Sequence, residues 1–289
     1  MMRQKYLVIL RHEGSVLWKT AQQFISTDSS SVRMTVVTAF SLLLFSFSSR
    51  KNKTFIPPGT VQITETFFAD ETEVSNLSWQ EYELWTKNKY GLLSPEHISC
   101  LPDTLVWRDK KAYNEPYVEY YYRHPAYKNY PVVGISYEQA VAFCKWRSDR
   151  VKEFWYIGKR KELNIEYRLP STEEWELISN NGTGVFYNNG KNEKGRILFN
   201  HVHPPDDTLG TEGFMSGNAD VTAPVYSYWK NFFGIFCMFG NVAEMVAEKG
   251  ISKGGSWRHR LEECRAGKII AYTKPTAWLG FRCVCTVKK

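Results

Sequence analysis

The chain has 289 residues, with 37 Lys and Arg against 30 Asp and Glu, a formal net charge of +7 and 15% aromatic residues. Its 10 Trp and 17 Tyr exclude a disordered chain and supply enough apolar side chain for one large domain or two small ones. Residues 1–53 carry +6 of the charge and the remainder only +1, so the folded part is nearly neutral, the net charge is no argument for nucleic acid, and no nucleic-acid partner is expected.

In chain order, the first feature is an apolar run over residues 36–47, preceded by Arg33 and followed by Arg50 and Lys51. A helix needs about 20 apolar residues to span a bilayer, and this run is shorter. It reads as the apolar core of an export signal, with Ser46-Phe47-Ser48 as a small-x-small cleavage site and Met34 as the start. The expectation is an N-terminal extension plus signal-like segment over residues 1–53 and a folded domain over 54–289. Export across the inner membrane to the periplasm or outer membrane follows from that reading. The N-terminal segment is where membrane association is expected. No Cys follows the run, so a bacterial lipid-attachment site is missing.

Residues 66–69 read as a strand. Ser75 and Asn76 offer a helix N-cap, and the helix runs to about Lys87 with Trp79, Tyr82 and Trp85 as candidate buried rings. Residues 90–130 are irregular and Tyr-rich, and a loop of that length is either functional or a fold-specific wrap. The aromatic loop at residues 101–130 is expected to form a contact surface for partners, because Tyr, Trp and Arg are enriched at interfaces. Ser136 and Gln139 form a capping box, and the helix behind them places Ala140, Phe143, Cys144 and Val151 on one face. Ser171 and Glu174 repeat the device. Residues 180–221 are polar and Gly/Asn-rich, and short strands between turns follow. On a strand His201 and His203 would share a side and chelate; with Pro204-Pro205-Asp206-Asp207 next, a solvated loop is the plainer reading.

Three C-terminal motifs stand together: Gly240-Asn241-Val242-Ala243-Glu244, Gly254-Gly255-Ser256-Trp257 and Gly280-Phe281-Arg282-Cys283. With Asp70-Glu71-Thr72-Glu73-Val74-Ser75-Asn76 and Arg168-Leu169-Pro170-Ser171-Thr172-Glu173-Glu174-Trp175, they resemble the formylglycine-generating enzyme (sulfatase-modifying factor) domain over roughly residues 55–287. The resemblance implies an α+β class: the irregular formylglycine-generating-enzyme fold, related to C-type lectins and low in regular secondary structure. Leu101-Pro102-Asp103, Ala112-Tyr113-Asn114 and Tyr122-Arg123-His124-Pro125 are similar to the gliding-motility and type IX secretion lipoproteins GldJ and GldK of Bacteroidota. That branch implies a structural role in an envelope assembly, with other proteins as partners.

The family's catalytic members hold copper(I) with two cysteines placed five residues apart behind the Gly-Gly-Ser turn. Here those places are His259 and Cys264, and Ser256 matches a serine near the substrate cleft. Soft copper(I) selects thiolates, so a His/Cys pair lacks the bis-thiolate, and the expected role is non-catalytic. The alternative is an oxidase-like or other metal-dependent enzyme using His259 and Cys264. For calcium, the resemblance maps ligands to Gly240, Val242 and Glu244, with Cys237 where an oxygen donor is usual. Asn200 and the loop of Asn218 and Asp220 fall in the region of a second site. Calcium takes six to eight hard oxygens, which a thiol does not supply. Ala243 and Met245 stand where Trp is usual. The resemblance also pairs Cys144 with Cys283 in a disulfide, while the family's other bridge falls on Ser179 and Ile269 and is absent.

Overall fold

The computed structural model describes residues 55–109, 114–159, 162–180, 190–202 and 221–288, and Ile56–Lys289 form one compact unit. The expected extension and apolar run at residues 1–53 lie outside the described residues. The fold is α+β with little regular structure: its strands span only two to four residues. They are β1 (Thr60–Gln62), β2 (Phe67–Asp70), β3 (Ile165–Arg168), β4 (Ala243–Met245), β5 (Ile251–Lys253), β6 (Ile270–Ala271), β7 (Leu279–Gly280) and β8 (Val284–Val287). The helices are α1 (Asn76–Tyr90), α2 (Pro95–Ser99), α3 (Glu115–Tyr120), α4 (Tyr137–Lys159) and α5 (Thr172–Ser179).

One sheet has the order β1-β2-β8-β3 with every pair antiparallel, and Cys285 lies opposite both Phe68 and Tyr167. The other has the order β6-β5-β4-β7, in which β4 and β7 run parallel and the remaining pairs antiparallel. The parallel register sets Glu244 beside Gly280. A Cβ on Gly280 would stand 2.7 Å from a Val242 methyl, so only glycine fits between these strands.

Helix α1 starts at Ser75, whose hydroxyl accepts from the Ser78 N–H, and stops at Gly91 with φ +104°. It therefore runs three residues past the expected end. Trp79 and Tyr82 are buried and Trp85 is half-buried. Trp79 stacks on Phe143 of α4 at 5.4 Å and meets the edge of Phe281 at 6.0 Å. Burial of each such ring contributes about 1.5–3 kcal/mol. The Ser136 capping box is present: Gln139 N–H donates to Ser136 Oγ, and Ser136 N–H donates to Gln139 Oε1. Ala140, Phe143 and Cys144 form the buried face of α4. One turn on, Ser148 Oγ donates to Cys144 O and accepts from the Tyr167 N–H at 2.7 Å, which pins β3 to the helix.

Residues 90–130 differ from expectation. They carry α2, α3 and two 3₁₀ turns (Thr104–Trp107 and Pro125–Tyr127). Some of their aromatics face inward: Trp107, Tyr121 and Tyr122 are buried, and Trp107 and Tyr121 pack with Val133, Val242 and Ala277. The reason is polar satisfaction. Tyr121 OH donates to Pro131 O at 2.7 Å and lies 2.8 Å from the Thr222 hydroxyl, so the ring enters the core without an orphaned hydroxyl. Asn76 Nδ2 fastens the segment by donating to Tyr121 O and Tyr127 O. Trp107, Tyr121 and Tyr122 are thus core residues, while Tyr117, Tyr127 and Tyr130 are half-buried and Tyr120 is exposed.

Candidate functional site

The turn Gly254-Gly255 carries φ values of +83° and +70° and delivers Ser256 to the protein interior at zero exposure. A Cβ on Gly255 would stand 2.3 Å from Cys264 Sγ, so the backbone of this turn rests directly on that sulfur. Cys264 is fully buried in a cluster with Trp175, Phe199, Met238 and Phe239. Burial pushes its thiol up to about 12, with Glu263 adding to the rise. Such a thiol stays protonated near neutral pH, and the thiolate is the nucleophile and metal ligand.

His259 is half-buried. Burial lowers its pKa, and the nearby Glu263 opposes that shift. Its Nδ1 lies 2.7 Å from Ser256 Oγ, and that oxygen also accepts from the Arg258 N–H at 3.1 Å. The hydroxyl has two acceptor sites and one proton, so the tautomer of His259 decides which partner donates in the Ser256–His259 bond. Its ring meets Trp278 edge-on at 4.9 Å. Trp257 donates from Nε1 to Ala277 O and stacks on Trp107 at 6.1 Å, while Arg258 reaches Asp109 at 3.5 Å. Ser256 and His259 are joined directly. Cys264 is instead sealed beneath the turn.

The residues present do not fit a copper(I) centre of the bis-thiolate type. One of its two places is an imidazole engaged through Nδ1, and the other is a buried neutral thiol. Among the described residues no group of three or more His, Cys, Asp and Glu side chains is arranged to hold a metal ion.

The residues mapped to calcium separate into two groups. Glu244 is at zero exposure, and its carboxylate is filled by protein donors: Arg282 Nε at 2.8 and 2.7 Å, Arg282 Nη2 at 2.5 Å and Trp175 Nε1 at 2.7 Å. A guanidinium in contact with that carboxylate competes with a cation for it. Gly240 donates its N–H to Gly254 O, Val242 packs in the aromatic cluster, and Cys237 is a buried thiol pushed well up by burial and by Glu73. The filled Glu244 carboxylate and the protonated Cys237 thiol do not fit calcium. Asn200 is different. Its Nδ2 donates to Val221 O at 2.6 Å, and its Oδ1 is buried without a hydrogen-bond partner, which suits a hard cation. The loop of Asn218 and Asp220, and His203, lie outside the described residues. His201 is buried, with Nδ1 3.1 Å from Phe199 O and its ring stacked on Phe199 at 4.6 Å.

Around Glu244 lies a network that the motif matching missed. Arg282 is also at zero exposure and donates further to Asp70 O, Phe236 O and Cys237 O. Glu73 is buried beside it and accepts from Asn241 Nδ2 at 3.0 Å on both oxygens. Burial holds the Glu73 carboxyl well above the usual carboxylate range, against the pull of Arg282. The available signal was Arg282 itself, a lone cation in the apolar run from Leu279 to Cys285, which must find acceptors if the run is buried. Finally, Cys144 and Cys283 face each other with sulfurs 3.5 Å apart as thiols.

The model of the sulfatase-modifying factor enzyme 1-like domain matches residues 20–287. The formylglycine-generating enzyme of Mus musculus is 27% identical over 272 residues, covering 75% of this chain and 65% of that protein. That of Thermomonospora curvata is 27% identical over 191 residues, 54% of this chain and 55% of that protein. The chain thus spans less than two thirds of the length of these curated relatives. The crystal structure of CarF superposes with a TM-score of 0.50 at 18% identity, covering 77% of this chain and 87% of that one, which speaks to the fold alone.

Proposed function

The chain belongs to the sulfatase-modifying factor enzyme 1-like domain family, and from that premise we propose that it serves as a non-catalytic structural or binding member. In this reading it is exported, and it joins an envelope assembly in the manner of GldJ and GldK. The observation that carries the proposal is the state of the two cysteine places. His259 is bonded to Ser256 at 2.7 Å, and Cys264 is a neutral thiol under the Gly255 backbone. Fold alone assigns no chemistry; the site does. The second reading is a formylglycine-generating oxidase-like enzyme using His259 and Cys264, and the names of the curated relatives favour it.

One assay separates the two. Purified full-length protein, incubated with copper(I), O₂ and a Cys-containing sulfatase peptide, is followed by mass spectrometry for the peptide aldehyde. The expected result is no aldehyde above that of a Cys264→Ala control. Turnover that requires Cys264 would replace the structural reading with the enzymatic one. Partners are sought by crosslinking in the source cell envelope, where recurrent envelope proteins are the expected outcome.

A further inference from the structure

Helix α1 ends at Gly91, and residues 91–99 form a short strap that carries α2 and packs against α1. The strap is fastened at both ends. Gly91 N–H donates to Lys87 O. At the far end Trp79 Nε1 donates to Cys100 O at 2.9 Å, and Gln139 Nε2 donates to Ser99 O and Leu101 O. Between these ends the imidazole of His97 enters the protein at 4% exposure. Its Nδ1 lies 2.6 Å from Leu92 O, and its Nε2 lies 3.4 Å from Glu83 Oε1 on α1. The other Glu83 oxygen accepts from Tyr122 OH. A main-chain carbonyl only accepts, so Nδ1 carries a proton. Nε2 therefore faces a carboxylate oxygen, and a hydrogen bond between them needs a second proton on one of the two. Wherever that proton sits, the pair holds one proton more than a neutral imidazole and a carboxylate.

We propose that His97 and Glu83 form a proton-dependent latch that holds the strap of residues 91–99 on α1. When the shared proton leaves, two acceptors face each other at 3.4 Å and the imidazole needs a water partner. It reaches one by swinging out with α2 about Gly91, where φ is +104° and a Cβ would meet nothing within 4 Å. The ionisable groups around the ring come from three segments. Tyr82 lies on α1, Cys100 ends α2, and Tyr122 and Arg123 follow α3. Burial pushes Tyr82 up to about 12 and Cys100 up to about 11. It raises Tyr122 as well, and the Glu83 carboxylate adds to the rise at Cys100 and Tyr122. Those three stay protonated and Arg123 stays charged near neutral pH. Lys87 and Lys89 of α1 and Glu96 of α2 are exposed to water. That leaves the His97–Glu83 pair as the unit that titrates in the imidazole range, about pH 5–8. Closing the strap takes up the proton and opening releases it, so closure is favoured at the acid end of that window and lost as pH rises. The inference does not depend on whether the domain is catalytic.

The thiol of Cys100 is a local reporter. It donates to His97 O at 3.0 Å and is 2% exposed, so the closed strap covers it. Full-length protein is treated with a small methanethiosulfonate at pH 6, 7 and 8, and modification of each cysteine is followed by peptide mass mapping. Each rate is divided by that of the same cysteine in urea-unfolded protein at the same pH, which cancels thiol ionisation. Release of one proton on opening changes the opening constant by up to about tenfold per pH unit. Protection of Cys100 is therefore expected to fall by about tenfold from pH 6 to pH 8, while Cys144 and Cys264 stay protected. His97→Gln is expected to make the protection of Cys100 independent of pH. Glu83→Gln supplies an amide that donates to a neutral imidazole, so its strap is expected to stay closed up to pH 8. Four results overturn the proposal: protection that is constant with pH in the wild type, the same fall in either variant, no modification of Cys100 at any pH, or loss of protection at all six cysteines together. The last would be global unfolding rather than a moving strap.

Discussion

Arg282 carries its charge at zero exposure, held by Glu244 and three main-chain carbonyls, while Trp175 donates to the same Glu244 carboxylate. Removing one partner of such a pair leaves the other charge buried and alone, which costs about 3–5 kcal/mol. Arg282→Met is therefore expected to lower unfolding free energy by that amount in urea titration, and a loss below ~1 kcal/mol would show that the pair is not desolvated. Glu73 gives a pH prediction. Its folded carboxyl sits above the usual range while the unfolded one does not, so the native state binds the extra proton. Stability is then fully present below the ordinary carboxylate pKa and declines as pH rises toward the elevated value. Glu73→Gln keeps an oxygen for Asn241 and removes the titration, so its stability should stay flat across that window. At this scale the sequence was legible where a residue type is unusual for its place, as at His259. It was opaque where the meaning of a residue lies in a partner far along the chain, as for Arg282 and Asp70, 212 positions apart.

Helix α4 packs on β3, which pairs with β8, and two devices hold this joint. Ser148 is the hydrogen-bond acceptor for the Tyr167 N–H. Ser148→Ala orphans that buried donor, and the expected cost is about 1–3 kcal/mol, read as a lower urea midpoint at constant m-value. The second device is the pair Cys144 and Cys283, 139 residues apart with sulfurs 3.5 Å from each other. In an oxidising compartment we expect them to close a bridge, adding on the order of 4–5 kcal/mol in the chain-entropy model. Peptide mapping of protein isolated without reductant should find the 144–283 linkage, while free thiols at both positions would remove this source of stability. The elements around these residues were largely readable. The capping boxes at Ser136 and Ser171 marked real helix starts, since that signal is local chemistry. Residues 90–130 were not, because their buried Tyr hydroxyls find partners on other segments, Tyr121 at Pro131 O and the Thr222 hydroxyl and Tyr122 at the Glu83 carboxylate, and composition alone cannot distinguish such rings from a sticky surface.

Over the whole molecule, the motifs identified the fold because they are the places where short strands and tight turns meet. Gly255 touches Cys264 and Gly280 touches Val242, contacts that permit only glycine. What the motifs could not convey is connectivity: strands of two to four residues carry almost no period to read. The expected lack of copper-dependent turnover belongs to this scale, since it concerns a site assembled from several turns. The sheet order β1-β2-β8-β3 has one more consequence. β8 stands between two strands made much earlier, so β2 and β3 have no shared neighbour until residues 284–287 emerge from the ribosome. Non-local closure of this kind delays folding. The first sheet therefore stays incomplete until its third strand in order, β8, has been made.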